Sequence, residues 1–491
     1  MNGRAFFLFS ALALISASGC LPAPQASAGA GGHVFGCDCI VNDCLHELNT
    51  PEGRRRAVDW FRRHHVSKIY VESFRHGKSV PTELLRAIRD DFRAAGLATG
   101  GCFTPTSMAF ASRAGNAAKM DYQQWCCYTD PDVLAVLDAE VARAASLFDF
   151  VIIDDFLFTH CTCERCARAK GSAGWADFRC ALIRGVCRRI DAVAKRANPK
   201  CTFIVKFPCW YAGFRDAGYD VAADAKLLGA AWIGTETRDA GEPAQAFWIQ
   251  AWANEATGGL CGGGWFDALM TSDPRKYVEQ ARYTILGGAR ETLLHCHWHL
   301  AAPEPPADPK HDYRRVIRWH DCAEAFRREA EGLEKLAARV RGAELEGVRW
   351  ARAADATGLD RGVRMLRGGV PVKPVLAGGE PSFPFDENRF ATASAADLKA
   401  VHDWVAARTG WRLVAPGDVT LHLYRKDGRR FAALVNLRDE TVEAELTHRD
   451  GGALAKALAL PSDDAVQCGD GGKIRLSPKS MALFDLSGAN G

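Results

Sequence analysis

Residues 149–166 read DFVIIDDFLFTHCTCERC. The apolar, β-branched run at Phe150–Ile153 reads as a buried strand. Two adjacent carboxylates, Asp154 and Asp155, stand at its end. Three cysteines, Cys161, Cys163 and Cys166, follow at once. A buried strand that ends in paired acids is what the working edge of a parallel α/β sheet looks like from sequence.

Working outward, the same unit recurs from about residue 33 to 340. Strand-like runs are HVFGCDC, SKIYVESF, LATGGCF, DFVIIDDF, CTFIVKF, AAWIGTET, LCGGGWFDA and ETLLHCH. Between them lie amphipathic segments such as PEGRRRAVDWFRRHH, PTELLRAIRDDFRAAG and DPDVLAVLDAEVARAASLF, which open on Pro or Asp and carry apolar residues at three and four spacing. Eight such units predict a (β/α)8 TIM barrel over 31–342, closed by the helix in YRRVIRWHDCAEAFRREAEGLEKLAARVRG. A doubly wound open sheet accounts less well for eight units, and no glycine-rich phosphate loop follows the first strand. Residues 343–416 read as a small α/β linker domain. From 417 to 491 short alternating strands with a turn at Asp427-Gly428 predict a C-terminal β-sandwich, either a structural cap or a sugar-binding module.

A barrel of this kind works at the C-terminal ends of its strands. Polar and aromatic residues gather there: Asp38, Glu72, Arg75, Asp154, Asp155, Lys206, Trp210, Tyr211, Glu236, Arg238, Trp265, Asp267, His295 and His297. Neighbours on a strand point to opposite sides, so one of Asp154 and Asp155 faces the ligand while the other supports it. Asp155 is assigned to chemistry, with Glu236 as its partner, Arg238 placed to keep Glu236 ionised, and Asp154 and Asp267 as further catalytic candidates. Asp38, Glu72, Arg75, Lys206, Trp210, Tyr211, Arg238, Trp265, His295 and His297 are candidate substrate contacts.

The spacing Cys-x-Cys-x-x-Cys suits a soft metal, and structural zinc wants four tetrahedral ligands. The fourth donor is expected from QQWCCYTDP, with Cys127 first and Cys126 next, then His160 or Cys44. A disulfide with one odd thiol and an iron–sulfur site are the alternatives. Such a zinc would be structural, pinning the loops that carry the acids. No organic cofactor is expected. The chain has 18 cysteines, but many sit in or beside the predicted strands, which argues against a disulfide framework.

Of the 491 residues 48% are hydrophobic, and 62 basic against 59 acidic side chains leave a net charge of +3. Nothing in that balance favours nucleic acid or an anionic membrane as partner. Arg4 followed by AFFLFSALALISASG reads as a leader over 1–30, so the protein is expected to be exported from a bacterial cell, lipid-anchored or periplasmic to extracellular. Cys20 in ASGC is the candidate lipidation site, and cleavage after ASA at 26–28 is the other outcome. The only membrane contact expected is such an anchor.

A strand-four carboxylate followed by Cys-x-Cys-x-x-Cys, with a further cysteine before the third helix, resembles the zinc-containing β-galactosidases of glycoside hydrolase family forty-two. The motifs DDF, GTETR and GGWFD also resemble related exported bacterial glycosidases. The resemblance implies an oligo- or polysaccharide substrate and puts Asp155 at the general-acid position. The family's nucleophile, a Glu ending strand seven, has no counterpart: GGGWFDA supplies Asp267, and Glu236 stands one strand earlier. Two rival readings are a non-catalytic carbohydrate-binding lipoprotein on the same fold and a metal-dependent hydrolase using His295, His297 and His299.

Overall fold

The computed structural model describes residues 33–108, 125–209, 213–239, 241–269, 271–302, 319–351, 359–376, 394–450, 456–458, 466–468 and 473–486. The expected leader with Cys20, and the aromatics Trp210 and Tyr211, lie outside the described residues.

Eight parallel strands form a closed barrel: β1 Val34–Cys39, β2 Val66–Glu72, β3 Ala98–Phe103, β4 Phe150–Ile153, β5 Thr202–Phe207, β6 Ala230–Gly234, β7 Cys261–Asp267 and β8 Glu291–His295. Each pairs with its sequence neighbours, and β1 closes on β8 with Phe35 opposite Thr292. Helices cover the outside, and several start by one device. Thr50, Asp130 and Asp273 each accept a backbone N–H with their side chain just before a proline at the first helical position, in Pro51–Arg63, Pro131–Leu147 and Pro274–Leu286.

The two-residue repeat of a strand sorts the interior into levels. At the N-terminal end Lys68 donates to Glu291 at 2.8 Å, and the Tyr70 hydroxyl donates to the same carboxylate at 3.1 Å. The Lys68 ammonium also lies 4.3 Å from the centre of the Phe150 ring. Above this plug Tyr70, Cys102, Ile152, Ile204, Trp232, Trp265 and Leu293 form an apolar cluster. Two residues further along most strands come Asp38, Glu72, Asp154, Lys206 and His295. Thus one periodicity yields a salt-bridged floor, a hydrophobic middle and a polar mouth.

Beyond the barrel lie antiparallel sheets, as expected for a β-sandwich. Glu344–Glu346, Val419–Lys426, Arg429–Asn436, Met481–Asp485 and Lys456–Leu458 form one; Trp411–Val414, Val442–His448, Lys473–Leu476 and Val466–Cys468 form the other. Two strands assigned by sequence to the 343–416 segment, Glu344–Glu346 and Trp411–Val414, are therefore edges of these sheets. Short strands far apart along the chain gave no sign of which sheet they would join. The first sheet packs on the barrel's helices: the Tyr424 hydroxyl donates to the Leu286 carbonyl at 2.6 Å, and Tyr283 meets Thr420 at 3.0 Å.

Candidate active site

β4 ends at Ile153, and the chain turns at once, with Phe156 N donating to the Asp154 carbonyl at 2.7 Å. This turn corrects the expectation that Asp154 and Asp155 face opposite sides. Asp154 keeps the inward register of its strand, while Asp155, already off the ladder, swings to the same cation. Lys206 Nζ lies 2.8 Å from Asp155 Oδ2, 3.6 Å from Asp154 Oδ1 and 3.7 Å from Glu236 Oε1. It also sits 4.5 Å from the centre of the Trp265 ring. Three carboxylates from the ends of β4 and β6 thus converge on one buried ammonium.

The rest of the ring supports these groups. Arg75 donates to both oxygens of Glu72 and, at 2.8 Å, to Asp154 Oδ2. Thr104 donates to Glu72 at 2.5 Å. Glu72 is fully buried and serves the ring from behind, as does Asp38, whose Oδ2 lies 2.8 Å from His295 Nδ1. His295 keeps partial exposure at the mouth, beside the Trp265 ring at 5.4 Å. Trp265 itself is buried and acts as floor.

Arg238 makes no hydrogen bond or ion pair with Glu236, although its charge still pulls that acid down against burial. Its guanidinium grips both oxygens of Asp267, at 3.2 and 2.7 Å, because the neighbouring strand end offers a two-point match. Arg238 reaches this pose with a left-handed φ of 54°. Glu236 makes no side-chain hydrogen bond to any described residue, and its Oε2 is buried without a partner. The carboxylate folds back over Gly234, where an added Cβ would lie 2.6 Å from Glu236 Oε2 and 2.8 Å from the Cys209 backbone nitrogen. Only glycine fits there.

His297 is the clear departure. It sits on the short helix His297–Leu300, buried beneath Trp60 and Phe61, with Nδ1 2.7 Å from Asp43. His299 Nδ1 meets the Cys296 thiol at 3.2 Å. Leaving the strand after His295 sends the three histidines to three different partners, which removes the premise of a shared metal. Cys39, Asp43 and His297 do lie within 4.8 Å of one another. However, both Asp43 oxygens are already taken by N–H donors from Ile40, Trp298 and His297.

Burial sets the electrostatics. It raises the Asp155 and Glu236 carboxyls above their ordinary range, with Lys206 opposing in both cases. At Asp154 burial would also raise the acid, but Lys206 and Arg75 outweigh it and hold it well below the usual value. Burial would lower His295, and Asp38 reverses this and raises it.

The cysteine cluster adjoins this mouth. Cys127, Cys161, Cys163 and Cys166 bring their sulfurs within 4.8 Å of one another, and all are free thiols. Cys127 Sγ lies 3.7 Å from Cys163 Sγ and 3.6 Å from Cys166 Sγ. Cys126, the runner-up, instead points to the Pro105 carbonyl. From the cluster the chain is stapled back toward the acids: Cys161 N donates to Thr159 Oγ1, which donates to the Cys126 carbonyl at 2.8 Å, and Tyr219 O–H donates to the Asp155 carbonyl at 2.8 Å. Thr104 and Tyr219 escaped the sequence reading. Thr104 follows a strand end, a signal that could have found it; Tyr219 lies on a helix–helix loop and gave none.

Residues 31–355 match the family model described as "Probable glycosyl hydrolase, catalytic domain". An uncharacterised protein of Saccharolobus solfataricus is 22% identical over 285 residues, 52% of this chain and 47% of its own, so the match spans about half of that relative. Among solved structures, α-L-fucosidase isoenzyme 2 from Paenibacillus thiaminolyticus matches at TM-score 0.60 and 11% identity, covering 92% of this chain and 99% of that one. A GH42 β-galactosidase from G. stearothermophilus matches at TM-score 0.61 and 11% identity, covering 92% and 98%. At these identities the likeness is one of fold.

Proposed function

The chain belongs to the family of probable glycosyl hydrolases and carries their catalytic domain, and on that premise we propose that Asp155 and Glu236 cleave a glycosidic bond at the barrel mouth. The single observation that carries this reading is Lys206, whose buried ammonium contacts both carboxylates, at 2.8 and 3.7 Å. The two facing oxygens are therefore no farther apart than those contacts laid end to end. We take the close pair of a retaining glycosidase, about 5–5.5 Å, as the reading to test, since those contacts laid end to end reach only the lower edge of the wider pair that admits a water, about 6.5–9.5 Å. The substrate is an oligo- or polysaccharide. β-Galactosides and α-L-fucosides, named by the structural neighbours, are the first to try.

The four cysteines fit a structural zinc. A tetrahedron with metal–sulfur bonds of about 2.3 Å has edges of about 3.8 Å, close to the sulfur separations found here. Four thiolates would complete the shell and leave no place for a reacting water, so the ion would brace the loops after β3 and β4. The apolar stretch before residue 20 supports export, with Cys20 as the lipid attachment point. Fractionation of a Cys20→Ala variant tests this by release from the membrane.

Aryl glycosides offered to the purified chain test the function, with product anomers followed by NMR and metal content measured in parallel. Turnover with retained configuration and one zinc per chain is the expected result. Sugar binding without turnover would instead favour a non-catalytic carbohydrate-binding role.

A further inference from the structure

We infer that the proton given to the leaving group resides on Glu236 and that Asp155 is the carboxylate facing the anomeric carbon, the reverse of the roles implied by the family resemblance. The inference rests on the two-carboxylate reading above and divides the labour within it.

The difference lies in how each acid is held. Asp155 Oδ2 accepts a direct hydrogen bond from Lys206 at 2.8 Å, and a charge-assisted bond of this kind favours the ionised form. Its Oδ1 has no partner among the described residues and retains its lone pairs. Tyr219 O–H, at 2.8 Å from the Asp155 carbonyl, fixes the backbone from which this oxygen projects. These are the properties of a poised nucleophile.

Glu236 is held otherwise. Lys206 Nζ stands 3.7 Å away, beyond hydrogen-bond reach, and Oε2 is buried with no partner. A bare carboxylate there would lack the donors that burial demands, whereas a neutral acid needs far fewer. The charged groups facing Glu236 are Lys206, Asp267, Arg238 and Asp155, with the Cys209 thiol beside them. Arg238 is engaged with both oxygens of Asp267, and Lys206 with Asp155. Facing Asp155 are Lys206, Asp154 and Arg238, and Asp154 is itself neutralised through Arg75. The cations of the cup therefore answer to its other acids and leave Glu236 to keep its proton.

The resulting cycle balances. The bond from the anomeric carbon to the aglycone oxygen breaks, its electron pair stays on that oxygen, and the Glu236 proton is transferred there. Asp155 Oδ1 forms the new bond to the anomeric carbon. Water then attacks that carbon while Glu236 takes its proton, and the bond to Asp155 breaks. Both side chains return to their starting states.

Three forms of the protein, wild type, Glu236→Gln and Asp155→Asn, are compared on dinitrophenyl and methoxyphenyl glycosides. Loss of a general acid typically costs about 10²–10⁴-fold, but only where the leaving group needs the proton. Glu236→Gln should lose that factor on methoxyphenyl substrates and stay within about tenfold of wild type on dinitrophenyl ones. Asp155→Asn should fail on both, with azide restoring turnover. The opposite pattern overturns the inference and spares the function. Wild-type turnover in both variants, or none in the wild-type protein, overturns the two-carboxylate reading and this inference with it. A measurement free of folding effects uses the wild-type protein: a 2-deoxy-2-fluoroglycoside should leave its sugar on Asp155 in peptide mass spectra. Label on Glu236 overturns the assignment.

Discussion

Lys206 is the side chain on which the mouth depends most. Replacing it with methionine leaves Asp154, Asp155 and Glu236 without their common cation. Loss of one preorganised charged group in an enclosed site costs about 10²–10³-fold, so Lys206→Met should lower kcat/KM by about that factor. The sign of the pH effect follows: without the ammonium Asp155 holds its proton to higher pH, and the acid limb of the rate profile should move upward. A limb unmoved in the variant would contradict the role given to this lysine. Gly234→Ala is the steric counterpart. The added carbon would meet both the Glu236 carboxylate and the Cys209 backbone, and a misplacement of about 1 Å can cost about 10²-fold. Activity should fall by tenfold or more while the melting temperature changes by only a few degrees. Single residues are also where sequence reading was least able to choose. Chain spacing placed Arg238 near Glu236, but only the neighbouring strand end, with its second oxygen, shows why the guanidinium prefers Asp267.

At the scale of elements, the eight strands were legible because a buried parallel strand is a short apolar run with punctuation at both ends. What lay past the last ladder bond was not. The turn after Ile153 brings two consecutive aspartates to one lysine, and the break after His295 disperses three histidines that alternation would have aligned. The zinc proposed for the cysteine loops would bind the ends of β3 and β4 together, so Cys166→Ser should lower the metal content and the melting temperature by several degrees, with activity falling alongside. A variant with full activity and no metal would show that the cluster does not brace the acids. On the helix Val221–Leu228, burial raises Asp224 from 3.8 to about 7, and its Oδ2 accepts from Asp220 N at 2.9 Å. The folded chain thus holds this proton where the unfolded chain has released it, and its contribution to stability declines as pH rises from about 4 to 7. Asp224→Asn keeps the acceptor and removes the titration. Its melting temperature relative to wild type should therefore climb over that interval and stay level above it.

At the scale of the whole molecule, the outer face of the first C-terminal sheet joins the barrel's helices in one buried cluster, while the sandwich keeps a core of its own around Trp411, Leu434 and Leu446. Tyr424, Val435 and Leu483 of the C-terminal sheet belong to the same buried cluster as Trp248 and Tyr283 of the barrel's outer helices. Removing residues 417–491 would bare that apolar face, so the truncated chain should aggregate, and the untruncated chain should melt in a single calorimetric transition. Two separate transitions would show the halves to be independent. The pairing of strands distant in sequence was illegible for a simple reason: antiparallel edges are chosen by shape and burial, not by any local motif. The Lys68–Glu291 bridge carries a last consequence for traffic. With ions and aromatic rings filling the base of the barrel, a sugar bound at the mouth would leave by the way its successor arrives. Spent product should therefore compete with fresh substrate, and added free monosaccharide should slow turnover by raising the apparent KM while leaving the maximal rate alone.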